Sequence, residues 1–178
     1  MRTQGFTLAE LLVVILLMAA LAATAIPQLA SQEADQLDAA AAEVRAALRF
    51  ARNEALQKGT PVLVDMETQA NAISVMLGTC KNPGIPLTDP RSGRSFLVDL
   101  SQRESTRHVG LNAQVRVAGD RSYQGLVFDA TGAISEACDM AAAKDKGKPL
   151  SGSLIVLNVG EQELRLTLWP ATGRVSGP

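Results

Sequence analysis

Glu10 is the residue whose type fits its neighbourhood least. It heads an apolar run that continues from Leu11 to Ile26. A helix needs ~20 apolar residues to cross the hydrocarbon core of a bilayer. An ionised side chain in that core costs roughly 2.5–3.5 kcal/mol even on mild insertion scales. A segment that only anchored the chain would carry leucine there. A buried carboxylate needs a partner, so the chemistry implied is ion pairing with a group outside the run. Two plainer readings compete. One is a secretory signal with Arg2 as its basic end, Leu11–Met18 as its apolar centre and Ala20–Ala25 as a small-residue cleavage site. The other is a simple anchor with Glu10 at the membrane surface. The signal reading ignores the charge inside the apolar segment. It also ignores that the segment runs, without a loop, into a second helical pattern.

The remaining inventory of reactive residues is thin. There is one histidine, His108, and it stands at the edge of a predicted strand. Cys80 and Cys138 are the two cysteines. If they pair, neither a Cys/His nucleophile nor a Cys/His zinc cluster can be assembled. The sequence holds no G-x-x-x-x-G-K-[ST] and no G-x-S-x-G. Asp129-Ala-Thr-Gly132 has the residues of a tight turn. Carboxylates are scattered, which leaves open an acid–base pair brought together by the fold. Trp169 before Pro170 could mark a binding site, but an anchor at the end of a core strand is preferred. No cofactor and no metal is implied. An enzyme or a binding module tethered in the periplasm is the competing class.

An N-terminal anchor would place both cysteines outside the cytoplasm, where disulfides persist. A Cys80–Cys138 bond is then the favoured reading, with two separate buried thiols as the alternative. Such a bond closes a loop of about 58 residues, worth roughly 4 kcal/mol in the chain-entropy model.

The elements that must position these residues follow from periodicity. Residues 6–57 read as one helix, roughly 75 Å long at 1.5 Å per residue. After Pro27 its apolar face is Leu37, Ala40, Ala41, Val44, Ala47, Leu48, Ala51 and Ala55, in the i, i+3, i+4, i+7 spacing. Glu33, Asp38, Glu43, Arg49 and Arg52 occupy the other side. Gly59-Thr60-Pro61 is a stop signal, and Pro27 should bend the helix near the membrane exit. The alanine stripe lets a sheet approach closely.

Beyond Gly59 the period becomes two. Pro61–Met66 and Ala72–Leu77 read as a hairpin turning near Gln69–Asn71. Residues 78–94 read as a loop and Ser95–Leu100 as a short strand. His108–Ala118 and Gln124–Asp129 are further strands, the latter turning at Ala130-Thr131-Gly132. Residues 136–149 read as a charged loop holding Cys138, Lys144, Lys146 and Lys148. Ser153–Val159 and Glu163–Trp169 form the strongest hairpin. Seven or eight strands behind a long helix give an α+β fold, the helix packed on an antiparallel β-rich head. The 178 residues leave roughly 150 after the membrane segment, enough for one domain with a core. A net charge of −1 gives no global sign of a nucleic-acid binder.

Met1–Gly5 followed by Phe-Thr-Leu-Ala-Glu10 resembles the prepilin leader of type IV pilins and type II secretion pseudopilins. The resemblance implies cleavage by prepilin peptidase between Gly5 and Phe6, and N-methylation of Phe6. It makes Glu10 the glutamate that pairs with the Phe6 amine of a neighbouring subunit, and Pro27 the helix-kinking proline. On this reading the chain is an enzyme's substrate and no enzyme itself. The implied division is a leader over 1–5, a transmembrane and filament-core helix over 6–27, the amphipathic half of that helix over 28–58 and a β-rich head over 59–178.

Phe50-Ala-Arg-Asn-Glu-Ala-Leu-Gln-Lys-Gly-Thr-Pro-Val62, Phe128-Asp-Ala-Thr-Gly132 and Ala171-Thr-Gly-Arg-Val175 are similar to elements of the GspH/FimT group. That implies a minor pseudopilin of type II secretion or a minor pilin of type IV pili, which primes or caps its filament. The implied partners are other pilins or pseudopilins, prepilin peptidase and the inner-membrane assembly platform. The implied place is the bacterial inner membrane, single-pass with the head in the periplasm, and then the filament. Some FimT-like members bind DNA through a C-terminal Gly-Arg-x-Arg. Here Gly173-Arg174-Val175-Ser176 keeps Arg174 but has serine at the second arginine. One arginine supplies about one phosphate contact where several are needed, so nucleic acid is the lesser alternative.

Overall fold

The computed structural model describes residues 7–119, 121–139 and 146–177, and for residues 21–31 the backbone alone. Helix α1 runs unbroken from Leu8 to Lys58, through Pro27. Its start is a capping box. The Glu10 amide donates to Thr7 Oγ1 at 3.3 Å, and the Thr7 amide donates to Glu10 Oε2 at 3.0 Å. Its end is Gly59 at φ 61°, where the amide donates to the Ala55 carbonyl at 3.0 Å. That left-handed conformation suits glycine. The predicted stripe from Leu37 to Ala55 is buried as expected, each of its eight residues at 4% exposure or less.

Twelve strands follow among the described residues. They are β1 (Val62–Glu67), β2 (Ala72–Gly78), β3 (Pro83–Pro86), β4 (Leu97–Asp99), β5 (Gly110–Val117), β6 (Arg121–Tyr123), β7 (Gly125–Phe128), β8 (Ile134–Cys138), β9 (Lys146–Gly147), β10 (Ser153–Val159), β11 (Gln162–Trp169) and β12 (Arg174–Ser176). All pairings are antiparallel and form two sheets. One has the order β3-β2-β1-β7-β8-β9, with β4 pairing β2 ahead of β3. The other has the order β12-β11-β10-β5-β6.

Both sheets turn their apolar faces to the alanine stripe. Helix, Val62, Val64 and Met66 of β1, Ile155 and Leu157 of β10, and Leu164, Leu166 and Leu168 of β11 belong to one buried cluster. Each fully buried Leu or Ile side chain contributes ~1.5–3 kcal/mol. The small alanines let both sheets close on the helix. Phe50 adds a stacked ring, 4.4 Å between centroids, against Phe96 of the segment leading into β4.

The first sheet has a second, smaller core on its other face. Leu63 of β1 and Val127 of β7 are register partners and point away from the helix. The disulfide Cys80–Cys138 lies over them, with its Cα atoms 6.0 Å apart. It ties the loop after β2 to the end of β8, reaching across β1 and β7. Without that cover Leu63 and Val127 would face water.

Several expectations need correction. The loop read over residues 136–149 is partly sheet, because Glu136, Ala137 and Cys138 continue β8 against β7. The loop over 78–94 contains β3, whose pairing to β2 needs a register shift between Met76 and Gly78. The C-terminal tail contains β12, where Val175 pairs Leu168. The seven or eight strands expected become twelve: β8, five residues long, begins after the expected turn and runs into the start of the expected loop, and the other added strands are only two to four residues long.

Candidate functional site

Two regions hold the residues singled out by sequence. The first is the start of α1. Glu10 Oε2 accepts from the Thr7 amide and from the Thr7 hydroxyl, both at 3.0 Å. In the single chain the carboxylate is thus held by its own helix cap. Leu8 before it and Leu11, Leu12, Val13, Val14, Ile15, Leu16, Leu17 and Met18 behind it are all exposed. No face of this half-helix packs on the head, whereas the half from Leu37 onward is consumed by it. Among the described residues no helix is long and apolar enough to cross a membrane. Gly5 and Phe6, the expected processing site, lie outside the described residues.

The second region lies at the far end of α1, where two turns of like sequence meet. They are Asp129-Ala-Thr-Gly132 after β7 and Pro170-Ala-Thr-Gly173 after β11. Asp129 Oδ1 accepts from the Thr131 amide at 2.8 Å, the Thr131 hydroxyl at 2.6 Å and the Ala133 amide at 3.1 Å. Burial works to raise the Asp129 pKa, but these hydrogen bonds outweigh it and hold the group below its usual value. The turns then join. The Ile134 amide donates to the Pro170 carbonyl at 2.8 Å, and Arg52 Nε donates to the Gly132 carbonyl at 3.2 Å. One arginine of α1 and two turns, one from each sheet, thus form a clasp.

That clasp places Arg174. Gly173, at φ 61°, ends its turn and sends Arg174 into β12 beside α1. Arg174 borders a cleft of about 330 Å³ together with Arg49, Arg52 and Asn53. It also borders a neighbouring cleft of about 490 Å³ with Trp169, Thr172 and Ser176. Trp169 Nε1 donates to Ser176 Oγ at 2.9 Å, so the serine at the motif's last position fixes the indole. Trp169 ends its strand as expected, yet half of it is exposed. The expectation of a solitary Arg174 is therefore corrected, since it shares its cleft with two further arginines. Sequence reasoning missed Arg49 and Arg52 as its companions, because they are separated from it by more than 120 residues. Asn53 gave no signal.

The other candidates stay apart. His108 is exposed, and its Nε2 accepts from Arg107 Nε at 3.0 Å. Lys146 is paired with Glu136, and Lys144 lies outside the described residues. Among the described residues no group of His, Cys, Asp and Glu is arranged to hold a metal.

A long helix, half embedded in two antiparallel sheets and half bare, is the pilin-like α+β fold. The family model described as type II transport protein GspH matches residues 40–160, and the prokaryotic N-terminal methylation motif matches residues 1–26. The chain belongs to the GspH family of minor pseudopilins, a structural family and not an enzymatic one. The structure of the minor pseudopilin EpsH from the type 2 secretion system of Vibrio cholerae is similar, with a TM-score of 0.53 and 12% identity over 81% of this chain and 97% of that one. The type IV minor pilin FimU of Pseudomonas aeruginosa gives a TM-score of 0.47 and 14% identity over 80% of this chain and 87% of that one. At such identity the EpsH likeness bears on the fold alone. Comparison with curated proteins gave no match.

Proposed function

We propose that this chain is a processed minor subunit of a type II secretion pseudopilus. It is cut between Gly5 and Phe6, methylated on Phe6, and held in the inner membrane by residues 6–27 with its head in the periplasm. It then enters the filament through α1, to prime or cap it. The observation that carries this reading is the division of α1. From Leu37 to Ala55 the apolar face is buried in the head, while from Leu8 to Met18 every apolar side chain is uncovered and Glu10 stands at its start. A half-helix bare on all sides suits lipid first and other helices afterwards. Within that packing Glu10 acts as a register device, comparable to a buried polar group in a coiled coil. It exchanges its Thr7 contacts for the Phe6 amine of a neighbour.

Replacing Glu10 tests this. Glu10→Leu should leave membrane insertion intact and abolish recovery of the subunit in sheared filaments. Recovery at the normal level would remove the role given to Glu10.

A second reading is favoured by one observation, the convergence of Arg49, Arg52 and Arg174 on one cleft. Three guanidiniums supply the several phosphate contacts that a lone Arg174 lacks. Binding of duplex DNA at low salt, lost in Arg174→Ala, would support that alternative.

A further inference from the structure

The sheet β12-β11-β10-β5-β6 has one covered face and one open face. Leu111, Ala113, Val115, Ile155, Leu166 and Leu168 belong to the core beneath α1. The alternate residues stand on the other side. There Ser176, Thr167, Leu154 and Gln114 form one register row across β12, β11, β10 and β5. The charged groups on this face are Arg116, Glu163, Arg165 and Arg174. Glu163 pairs Arg165 at 2.9 Å. Arg116 lies on β5, three strands from Arg174, which is ~14 Å at ordinary strand spacing. Among the described residues Arg174 engages in no ion pair.

The β12 edge of this face places an aromatic ring beside that unpaired cation. Trp169 and Arg174 are register partners, so their side chains rise together, with Cβ atoms ~4.5–5.5 Å apart. The bond from Trp169 Nε1 to Ser176 Oγ holds the indole by one edge, and half of the residue stays exposed. Ser151, Thr172 and Ser176 bring hydroxyls to the same cleft of about 490 Å³. That volume falls within the ~300–1,000 Å³ of small-ligand sites. Gly152, beside Ser151, has open space where a Cβ would stand.

We propose that this cleft binds a saccharide that carries a carboxylate. An indole fixed by its N–H edge keeps its electron-rich face for stacking, and the C–H face of a pyranose ring is its complement. The guanidinium of Arg174 offers two parallel N–H groups to the carboxylate of that ring. Hydroxyls at Ser151 and Thr172 meet ring hydroxyls as donors or acceptors. Further rings follow the row from Ser176 through Thr167 to Gln114. A polyphosphate strand fits this face less well, because it needs several cations along its path. Here Arg165 is already matched by Glu163, and Arg116 stands far from Arg174. A head in the periplasm meets acidic sugars in the cell-wall glycan and in polysaccharide from outside, and both present the same chemistry. The site is separate from Glu10, and it shares only Arg174 with the cleft on α1.

Trp169 is the chain's one tryptophan, so its fluorescence reads the site directly. The full chain is titrated in a detergent that has no sugar headgroup. Trigalacturonate is compared with neutral galactotriose, and the N-acetylglucosamine–N-acetylmuramic acid disaccharide with neutral chitobiose. At least one acid should change the emission saturably and bind about tenfold more tightly than its neutral counterpart, the ordinary worth of a charge-assisted hydrogen bond. Whichever acid is preferred names the source, and either supports the site. Arg174→Gln should bring the acid down to the affinity of the neutral sugar. Trp169→Phe, followed by calorimetry, should weaken the acid severalfold, whereas Arg49→Gln should leave it unchanged. No saturable response to either acid overturns the proposal. So does equal binding of acid and neutral sugars, or an acid preference that survives Arg174→Gln. Displacement of the acid by a duplex DNA oligomer, with both lost in Arg49→Gln, would assign Arg174 to the α1 cleft and overturn it as well.

Discussion

Gly173 lies against Gly132. A Cβ on Gly173 would stand 2.0 Å from the Gly132 carbonyl oxygen, far inside any contact an atom can make. The same carbonyl accepts from Arg52, so it cannot retreat without losing that hydrogen bond. This approach couples the turn after β7 to the turn after β11, one on each sheet.

Gly173→Ala should therefore cost more than its left-handed conformation alone. The conformation accounts for ~1–2 kcal/mol, and the displaced backbone should bring the loss to about 3 kcal/mol. Gly152→Ala is the control, because Gly152 has φ 80° and open space around it. It should lose only about 1 kcal/mol. Urea unfolding of the two variants measures the difference, and equal losses would mean that the turns yield easily.

The disulfide should matter as a cover as well as a cross-link. Cys80→Ala with Cys138→Ala removes a loop constraint worth about 4 kcal/mol in the chain-entropy model. It also uncovers Leu63 and Val127. Hydrogen exchange should quicken at β1 and β7 before it quickens at β10 and β11. Uniform acceleration over both sheets would show that the bond acts on the unfolded chain alone.

Asp65 should make stability fall as pH rises. It is half-buried on β1, and burial raises its pKa above the usual 3.8, with the Glu67 and Asp139 carboxylates adding to the effect. The folded state then holds the proton more tightly than the unfolded chain. Stability is lost as pH climbs from about 3.8 through the raised folded value, and the loss is complete above it. Asp65→Asn removes this dependence, so the variant should be more stable than the parent at pH 7 and no more stable well below pH 3.8. Thermal unfolding across that range reads both the sign and the window.

The parts of the fold legible in sequence are those with a sustained period. The stripe from Leu37 to Ala55 repeats through five turns, and β10 and β11 alternate over seven and eight residues. Strands β3, β6, β9 and β12 are too short to show alternation, and only their neighbours make them strands. Cys80–Cys138 was legible through its expected compartment, not through its neighbours. The arginine cleft was not legible at all. Arg49 and Arg52 read as a solvated helix face, and only the Gly132–Gly173 clasp brings Arg174 to them.

Processing can be read from intact mass. The membrane-bound chain should lack Met1–Gly5 and carry one added methyl group on Phe6. Cleavage near Ala25 would instead release a head without Glu10 and without the bare half-helix.

The central claim, a minor pseudopilin serving type II secretion, is tested most directly by deletion in the source bacterium. Secreted enzymes in the medium and surface pili with twitching are scored in parallel, with complementation by the parent chain and by Glu10→Leu. Secretion should fall while pili persist, and only the parent chain should restore it. Lost pili with normal secretion would contradict the account and assign the chain to a type IV pilus.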